Sequence, residues 1–340
     1  MQVLKIPSQK CGANIRRVFT FTNQTYKIFT IVFCTFAVRK KSCSLMNVLK
    51  AYFLLFVSLI SFSVTAQLSL CYNFKKGDTF IIKQDINQTI TQKITESNQE
   101  ILNTTSSTIE FKIKEVHADL YTIEVQFRNL ELYMNSNQLG ELINVKTCSE
   151  EENDPHAKMF KSIIDIPITV QMKKNGDIIA VEGTDKLLNN MLSAAQVEDE
   201  FTLEIMKASL ERDFGPEALA QNYKQMTYFY PEKLVAVNDT WENTYKGDVT
   251  ANNVWELTAL ENEEASIIGR SIISMNIYDS GVLMSLKGSQ DIELSADINT
   301  GILKKMIIES TAQGVSVVDE NEEDKIPTTI TSKSVYSIIK

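Results

Sequence analysis

The sequence is poor in the side chains that most often carry chemistry. Its 340 residues include two histidines and five cysteines. His117 ends a predicted strand beside Asp119, and His156 follows an acidic stretch, so neither has an evident partner. A catalytic histidine needs a positioned partner, and a zinc site needs closely spaced cysteines and histidines. These features argue against zinc sites and against histidine-dependent catalysis.

Short catalytic and phosphate-binding motifs are also missing. The sequence has no His-x-x-x-His, no Cys-x-x-Cys, no phosphate-cradling glycine loop and no Gly-x-Ser-x-Gly elbow. Its 43 acidic residues could include a catalytic carboxylate pair, but no spacing singles one out. We therefore expect a protein that is not an enzyme, with no catalytic residue, cofactor or metal. An enzyme with a dispersed acidic site is the alternative.

Acidic side chains are absent from residues 1–66, which carry nine basic ones. Within this region, Lys50 precedes an uncharged apolar run over residues 51–64, and small residues follow up to Ala66. A charged start, a short apolar middle and a small-residue exit are typical of a secretory signal peptide. The run is shorter than the roughly 18 residues that a spanning helix needs. We predict a signal peptide over residues 46–66, with cleavage between Ala66 and Gln67 and export to the periplasm or the extracellular space.

Residues 1–45 have two interpretations. In the first, the start codon is placed too far upstream and Met46 is the true initiator. In the second, the segment is a basic leader that binds a membrane surface. Removal of residues 1–66 changes the formal net charge from −9 to −18. Because such a charge repels nucleic acid and anionic lipid headgroups, we expect no nucleic-acid partner. We also expect no transmembrane anchor in the mature chain, and the sequence does not set its oligomeric state.

Three of the five cysteines lie in residues 1–66, which leaves Cys71 and Cys148 in the mature chain. In an oxidising compartment, two cysteines can form one disulfide. Cys71 and Cys148 are therefore a candidate pair. The alternative is that they are two unrelated thiols.

Alternation of apolar and polar residues dominates residues 67–183. Ile123, Val125 and Phe127 share one face of a predicted strand, which is typical of a half-buried strand in an antiparallel sheet. Over residues 86–94, the isoleucines Ile86, Ile90 and Ile94 are assigned to one face, with polar threonines and glutamines elsewhere. Asn175-Gly176 predicts a tight hairpin.

The period then changes to that of helices over residues 184–226. Gly215 and Pro216 separate a helix over residues 200–214 from a third helix. Phe201, Ile205, Ala208 and Leu210 are predicted to face inward. The β pattern resumes at residues 233–237 and includes separate strands at 281–286 and 289–297.

These patterns predict one α+β domain over residues 67–340. It comprises β structure over 67–183, a helical segment over 184–226 and β structure over 232–340. We expect a curved, half-barrel-like antiparallel sheet of about ten strands, with two or three helices packed on its concave face.

Trp241 and Trp255 lie in β context, where large aromatic side chains usually belong to the core. A sharper interpretation is that they line an apolar cavity with Phe229 and with residues of the helical segment. The candidate lining residues are Leu188, Met191, Phe201, Ile205, Phe229, Trp241 and Trp255.

Three segments carry a resemblance to a known family. They are Tyr230-Pro231 followed by Val235-Ala236-Val237-Asn238-Asp239-Thr240-Trp241, the opening over residues 74–80, and Asn175-Gly176-Asp177 followed by Val181-Glu182-Gly183. They resemble a secreted Bacteroidota family of unknown function, in a match that would cover nearly all of residues 67–340. The family has no known catalytic residues. More distantly, the predicted plan is similar to periplasmic half-barrel lipoprotein carriers, which hold acyl chains between a curved sheet and helices.

Two hypotheses follow from the sequence. The first is a non-catalytic exported envelope protein that binds an apolar small molecule, a lipid or a lipidated partner between sheet and helices. The second is a structural or protein-interaction module of the cell envelope that has no ligand.

Overall fold

The computed structural model describes residues 67–94, 97–149, 155–279, 281–318 and 325–340. The predicted upstream segment (residues 1–45) and the predicted signal peptide (residues 46–66) lie outside these residues, as does the cleavage site itself. All elements given below belong to the part of the chain after Gln67.

Twelve antiparallel strands form a single sheet. The strands are β1 (Thr79–Ile94), β2 (Ser97–Val116), β3 (Leu120–Ser136), β4 (Gly140–Lys146), β5 (Ile168–Lys173), β6 (Ile178–Glu182), β7 (Thr240–Tyr245), β8 (Val249–Glu261), β9 (Glu264–Asp279), β10 (Val282–Asp297), β11 (Leu303–Val318) and β12 (Lys325–Ile338). The predicted antiparallel sheet is confirmed, with twelve strands rather than about ten.

The strand order is β6-β5-β3-β2-β1-β12-β11-β10-β9-β8-β7, and β4 pairs with β3 beside this path. The sheet is open, because the path ends at β6 on one side and at β7 on the other. Strand β12 joins the two halves of the chain, since it pairs with β1 as well as with β11. Residues far apart in sequence are therefore neighbours at the centre of the sheet.

The described helices are α1 (Pro155–Lys161), α2 (Thr184–Ala195), α3 (Glu200–Phe214) and α4 (Pro216–Thr227). The last three lie between β6 and β7 in the chain. Asp199 caps α3 through a bond from the backbone N–H of Thr202, and Pro216 occupies the first turn of α4. The short helix α1 lies in a region that the sequence pattern predicted to be entirely β.

The inward face predicted for α3 is wrong for Phe201, Ile205 and Ala208 and is confirmed for Leu210. Phe201 is 71% exposed and Ile205 is 56% exposed, whereas Leu210 is buried. Leu210 follows Phe201 by nine residues, which is two and a half turns at 3.6 residues per turn, so the two side chains point in opposite directions. The helix buries the stripe that contains Met206, Leu210 and Phe214 and leaves the stripe of Phe201, Ile205 and Ala208 exposed.

Two strand predictions also differ from the structure. Residues 233–237 make only an isolated bridge, in which Val235 pairs with Leu68, and Leu234 and Val237 stay exposed. The two strands predicted over 281–297 are one strand, β10, which continues through Gly288 because β9 and β11 pair with it on both sides.

The inner face of the sheet is the face that carries Phe80, Phe111 and Trp255, and it is the face on which the helical segment lies. The Phe111 ring meets Tyr223 of α4 with centroids 6.2 Å apart, and the Trp255 ring meets Phe229 at 6.3 Å. Between helices and strands, the main contacts are those of α1 with β4 and of α4 with β6 and β7. Helix α4 therefore touches the strands at both ends of the open sheet.

Within the described residues, no helix combines the length and the apolar character needed to cross a membrane.

Candidate functional site

A segment that links the two ends of the sheet follows α4. We call residues 227–230 the bridging segment. Thr227 donates its hydroxyl to the carbonyl of Gly176 in the β5–β6 turn at 2.7 Å, and Tyr230 donates to the carbonyl of Gly301 at 2.8 Å. Trp241 of β7 donates its indole N–H to the carbonyl of Phe229 at 2.9 Å. Hydrogen bonds thus tie this segment to three separate parts of the sheet.

An amide at β7 completes this connection. Asn243 Nδ2 donates to the carbonyl of Tyr228 at 2.6 Å. Its Oδ1 accepts from Asn253 Nδ2 at 2.8 Å and from the indole N–H of Trp255 at 3.0 Å. Tyr245 Oη donates to the same Tyr228 carbonyl at 2.8 Å. Because polar groups buried together must satisfy one another, this network fixes the bridging segment on β7 and β8.

The N-terminal segment packs into the same aromatic cluster. Tyr72 donates to the carbonyl of Thr227 at 3.1 Å, and its own carbonyl accepts from Tyr121 Oη at 2.9 Å. The Tyr72 ring meets the rings of Tyr230 and Phe74 with centroids 5.2 Å away in each case. Burial raises the pKa of Tyr72 and of Tyr230 well above the usual tyrosine value. These phenols are structural donors, because each is buried and already bonded.

The predicted lining residues divide into two groups. Leu188, Met191, Phe229, Trp241 and Trp255 are buried in the continuous core. The structure brings Phe229, Trp241 and Trp255 together, through the hydrogen bond and the ring contact given above. Phe201 and Ile205 are exposed on α3 and are not part of this core. That these five buried residues line a ligand cavity stays a prediction.

The candidate disulfide is not formed. Cys148 is a free, exposed thiol, and its Sγ donates to Asn129 Oδ1 at 3.1 Å. Cys71 precedes Tyr72, whose carbonyl meets Tyr121 near the start of β3, whereas Cys148 lies beside Asn129. Eight residues of β3 separate these two points, or roughly 26 Å at 3.3 Å per residue. A disulfide requires Cα atoms within about 7 Å of each other.

One buried hydroxyl has no partner. Among the side-chain polar atoms of the described residues, Tyr223 Oη is buried without a hydrogen bond. Tyr223 lies on α4 with its ring against Phe111 of β2. Burial alone raises its pKa far above the ordinary value. An unsatisfied buried hydroxyl is destabilising, so packing of the ring must hold it in place.

The central part of the inner face carries no charged side chain over eight consecutive strands of the described sheet, from β2 to β7. On β1, β12, β11 and β10 these positions are the even-numbered residues of 80–94, 326–338, 306–316 and 282–294. On β2, β9, β8 and β7 they are the odd-numbered residues of 97–111, 267–277, 249–257 and 241–245. Charged residues of the same strands lie on the opposite face. There, Lys83 forms an ion pair with Asp85 at 3.0 Å, and Lys333 forms one with Glu309 at 2.7 Å. The central part of the inner face is therefore uncharged.

A continuous row of amides and hydroxyls crosses this uncharged face. The polar row consists of Asn103, Gln88, Ser332, Ser310, Gln290, Ser271, Asn253 and Asn243, one residue from each of eight paired strands. Its β9, β8 and β7 members are bonded into the network around Asn243, and Ser271 Oγ donates to Asn253 Oδ1. Its other five members are half-buried. At about 4.8 Å between strands, the row is roughly 34 Å long.

An apolar row runs beside it, one inner-face position further along each strand. The aliphatic row consists of Ile101, Ile90, Ile330, Ala312, Gly288, Ile273, Ala251 and Tyr245. The side chains in the middle of the row are small, because Ala312 and Gly288 lie between the larger Ile330 and Ile273. A Cβ on Gly288 would collide with the backbone carbonyl of Thr311, so the close approach of β10 and β11 requires glycine here.

The prediction that the glutamines of residues 86–94 lie on a different face from the isoleucines is wrong. Residues two apart in a strand share a face. Gln88 and Gln92 therefore lie on the same face as Ile86, Ile90 and Ile94, and the pairing with β2 and β12 confirms this. The alternation of isoleucine and glutamine at every second residue of β1 was the available signal for the polar row. The members on the other strands depend on strand register, which the sequence does not give.

A groove of about 340 Å³ lies elsewhere, on the outer face of β2, β3 and β4. Its lining includes Thr104, Ser106, Glu131 and Lys146, and Glu131 is directly opposite Lys146 in the ladder. The groove is open, and its lining also includes the apolar residues Leu132 and Val145. Its position separates it from the polar and aliphatic rows, which are on the inner face.

The comparison with protein families identifies the chain. The model of DUF6263, a family of unknown function, matches residues 118–303, which is more than half of the sequence. The chain belongs to DUF6263. The predicted membership of a family of unknown function is confirmed. The DUF6263 match begins after the opening over residues 74–80, however, so it is shorter than the match expected over nearly all of 67–340.

Two solved structures show a distant likeness to this DUF6263 protein. A structure of lipovitellin, described as showing lipid–protein interactions, has 9% identity and a TM-score of 0.49 over 79% of this chain and 26% of the lipovitellin chain. The chain thus spans about a quarter of that protein's length. An outer membrane channel from Pseudomonas putida F1 has 8% identity and a TM-score of 0.23, over 79% of this chain and 97% of the channel. No curated protein matches the sequence.

Proposed function

We propose that this DUF6263 protein is a non-catalytic exported envelope protein that binds an apolar ligand, or a lipidated partner, along the inner face of its sheet. The observation that carries the proposal is the uncharged inner face of the central strands. Ile86, Ile90 and Ile101 are half-buried there, away from the strands that the helices mainly contact. Apolar side chains that line a hollow are typical of a ligand-binding site.

Curvature of the sheet supports the existence of a hollow. The path from β6 to β7 has ten strand-to-strand steps, or about 48 Å if the sheet were flat. Helix α4 has 12 residues and is about 18 Å long. Since α4 contacts both β6 and β7, the sheet must bend around it. This supports a half-barrel arrangement in which the helical segment lies on the concave face.

The distribution of titratable groups supports a non-catalytic role. General acid–base catalysis needs an ionisable side chain at the reacting centre. The inner face offers amides, hydroxyls and aliphatic groups, while His117 and His156 are exposed elsewhere. Export is supported by the signal-peptide pattern over residues 46–66. Expression of the full chain should yield a secreted product that begins at Gln67, and retention of residues 1–66 would contradict export.

Native mass spectrometry tests the ligand proposal. We expect the exported protein to carry a co-purifying apolar molecule, which solvent extraction should release. Ile90→Asp should abolish this mass, because it places an unpaired charge on the inner face. Thr89→Asp is the matched control, since residue 89 faces outward on the same strand. A protein without any bound molecule, or equal retention in both variants, would contradict the proposal.

A protein-interaction module is the second candidate, and the exposed stripe on α3 favours it. Phe201 and Ile205 are one helical turn apart and largely exposed. If this stripe is an interface, Phe201→Ser with Ile205→Ser should abolish recovery of a stoichiometric envelope partner. Lys207→Ser on the same helix should leave recovery unchanged. Recovery of such a partner by a protein that carries no lipid would favour this candidate over the first.

A further inference from the structure

We propose that the groove on the outer face of β2, β3 and β4 binds a neutral saccharide. The groove has a volume of about 340 Å³, near the lower end of the roughly 300–1,000 Å³ that small-molecule sites occupy. That size suits a mono- or disaccharide. The proposal is independent of the inner-face ligand, because the two sites lie on opposite faces of the sheet.

A tyrosine lies among the polar residues of this groove. Tyr133 is half-buried on β3, directly opposite Thr104 of β2 on one side and Asn144 of β4 on the other. A sugar ring has apolar C–H faces and an edge of hydroxyl groups. An aromatic ring can pack against such a face while its polar neighbours bond to the hydroxyls of the edge. The groove therefore offers both kinds of contact that a saccharide needs.

Two hydroxyl groups of β2 offer acceptors to a ligand. Thr104 Oγ1 donates to Asn87 Oδ1 at 3.3 Å, and Ser106 Oγ donates to Asp85 Oδ1 at 2.7 Å. A hydroxyl has one hydrogen to donate and two lone pairs. Since both hydrogens are already used toward β1, the two oxygens can only accept further hydrogen bonds. A ligand that is rich in hydroxyl donors satisfies them, whereas a hydrocarbon does not.

Glu131 and Lys146 add one charge of each sign to the groove. They lie directly opposite each other on β3 and β4. Asn129 Nδ2 donates to Glu131 Oε1 at 3.3 Å, which leaves Oε2 to accept from a ligand. The Lys146 ammonium can only donate. An anionic ligand would meet the glutamate and a cationic ligand would meet the lysine, so this pair favours a neutral ligand over either.

Isothermal titration calorimetry of the purified full chain tests the proposal. The neutral probes are cellobiose, maltose and N,N′-diacetylchitobiose, and the anionic probe is digalacturonate at neutral pH. We expect at least one neutral disaccharide to bind about tenfold or more tightly than digalacturonate, because the carboxylates of the latter meet Glu131. Absence of binding by all three neutral probes, or equal or tighter binding of digalacturonate, overturns the proposal.

Matched variants locate the binding site. Tyr133→Ala should weaken binding of the neutral disaccharide by about fivefold to tenfold, because the packing surface for the sugar ring is lost. Tyr133→Phe should retain most of the affinity. Tyr278→Ala is the control, since Tyr278 is 67% exposed on the outer face of β9, away from the groove. Loss of affinity in Tyr278→Ala that equals the loss in Tyr133→Ala overturns the assignment to the groove.

Asn144→Leu keeps the proposal testable should Tyr133→Ala fail to fold. Asn144 is exposed, and its replacement removes a polar neighbour of Tyr133, so a loss of about fivefold or more is expected. Unchanged affinity in this variant overturns the proposal. Both variants should retain an apolar molecule bound to the inner face, so failure of the saccharide site is distinguishable from failure of the proposed function.

Discussion

At the scale of single residues, the buried tyrosines of the core differ in how well their hydroxyls are satisfied. Tyr223 Oη lacks a partner, whereas Tyr230 donates to Gly301. We expect Tyr223→Phe to leave the free energy of unfolding unchanged or to raise it by up to about 1 kcal/mol, because it removes an unsatisfied polar atom. Denaturant unfolding followed by circular dichroism measures the change.

Tyr230→Phe is the matched control for this prediction. It removes the donor to a buried carbonyl and should lower the free energy of unfolding by about 1–2 kcal/mol. A loss of similar size in Tyr223→Phe would mean that the Tyr223 hydroxyl does have a bonding partner in solution.

At the scale of elements, one glycine allows an indole to lie across two strands. A Cβ at Gly269 would lie 2.6 Å from Cζ3 of Trp255 on the neighbouring strand. Gly269→Ala should therefore displace a fully buried ring and destabilise the fold by about 1–3 kcal/mol. Gly247→Ala is the control, since its Cβ would meet only the flexible side chain of Gln221 at 3.3 Å. Its effect should stay within about 0.5 kcal/mol in thermal unfolding.

The turn between β10 and β11 depends on one carboxylate. Asp297 Oδ1 accepts from the backbone N–H of Asn299 and from both the N–H and the hydroxyl of Thr300, at 2.8–3.0 Å. Burial opposes ionisation of this carboxyl, but these hydrogen bonds outweigh it and lower its pKa. A lowered folded-state pKa contributes stability above the unfolded value of about 4, and that contribution is lost as pH falls through the folded value.

We therefore expect Asp297→Asn to cost about 1 kcal/mol at neutral pH and to make stability fall less steeply below about pH 4. Urea unfolding at a series of pH values measures both effects. Asp291→Asn, on the exposed face of β10, is the control. Parallel acid profiles for Asp297→Asn and the unmodified protein would show that this turn does not contribute to acid sensitivity.

The local sequence pattern predicted helices and strands correctly where residues at their ends marked the boundary. The Gly215-Pro216 pair marks the α3–α4 boundary, and Asn175-Gly176 marks the β5–β6 turn, where Gly176 has a φ of +93°. The pattern failed where two solutions were equally regular, as for the two apolar stripes of α3. It also failed for residues 233–237, where a run of four apolar residues follows Lys233 although only Val235 forms a β-bridge.

The candidate site depends on information that no local pattern contains. Gln88 and Ser332 are neighbours only because β1 pairs with β12, and Ser332 follows Gln88 by 244 residues in the chain. Seven ladders must keep their register for the polar row to be continuous, since a shift of one residue would turn each member to the outer face. Sequence periodicity gives the face of each strand, whereas tertiary pairing decides which residues share a row.

At the scale of the whole described fold, buried phenols make stability sensitive to high pH. Burial raises the pKa of Tyr72, Tyr223, Tyr230 and Tyr245, and it raises the pKa of Tyr336 to about 12 although hydrogen bonds from its neighbours oppose the shift. A raised folded-state pKa contributes stability that is complete below the unfolded value of about 10 and is lost as pH rises. The unfolded chain then releases protons that the folded core retains.

We therefore expect cooperative unfolding above about pH 10, with each buried tyrosine contributing up to about 1.4 kcal/mol per pH unit. Ultraviolet absorbance of the phenolate and circular dichroism should change together for these residues, because they ionise only when the core opens. Tyr336→Phe should reduce the alkaline slope by one such increment. Full phenolate absorbance in a protein that keeps its native circular dichroism would mean that water reaches these phenols in the folded state.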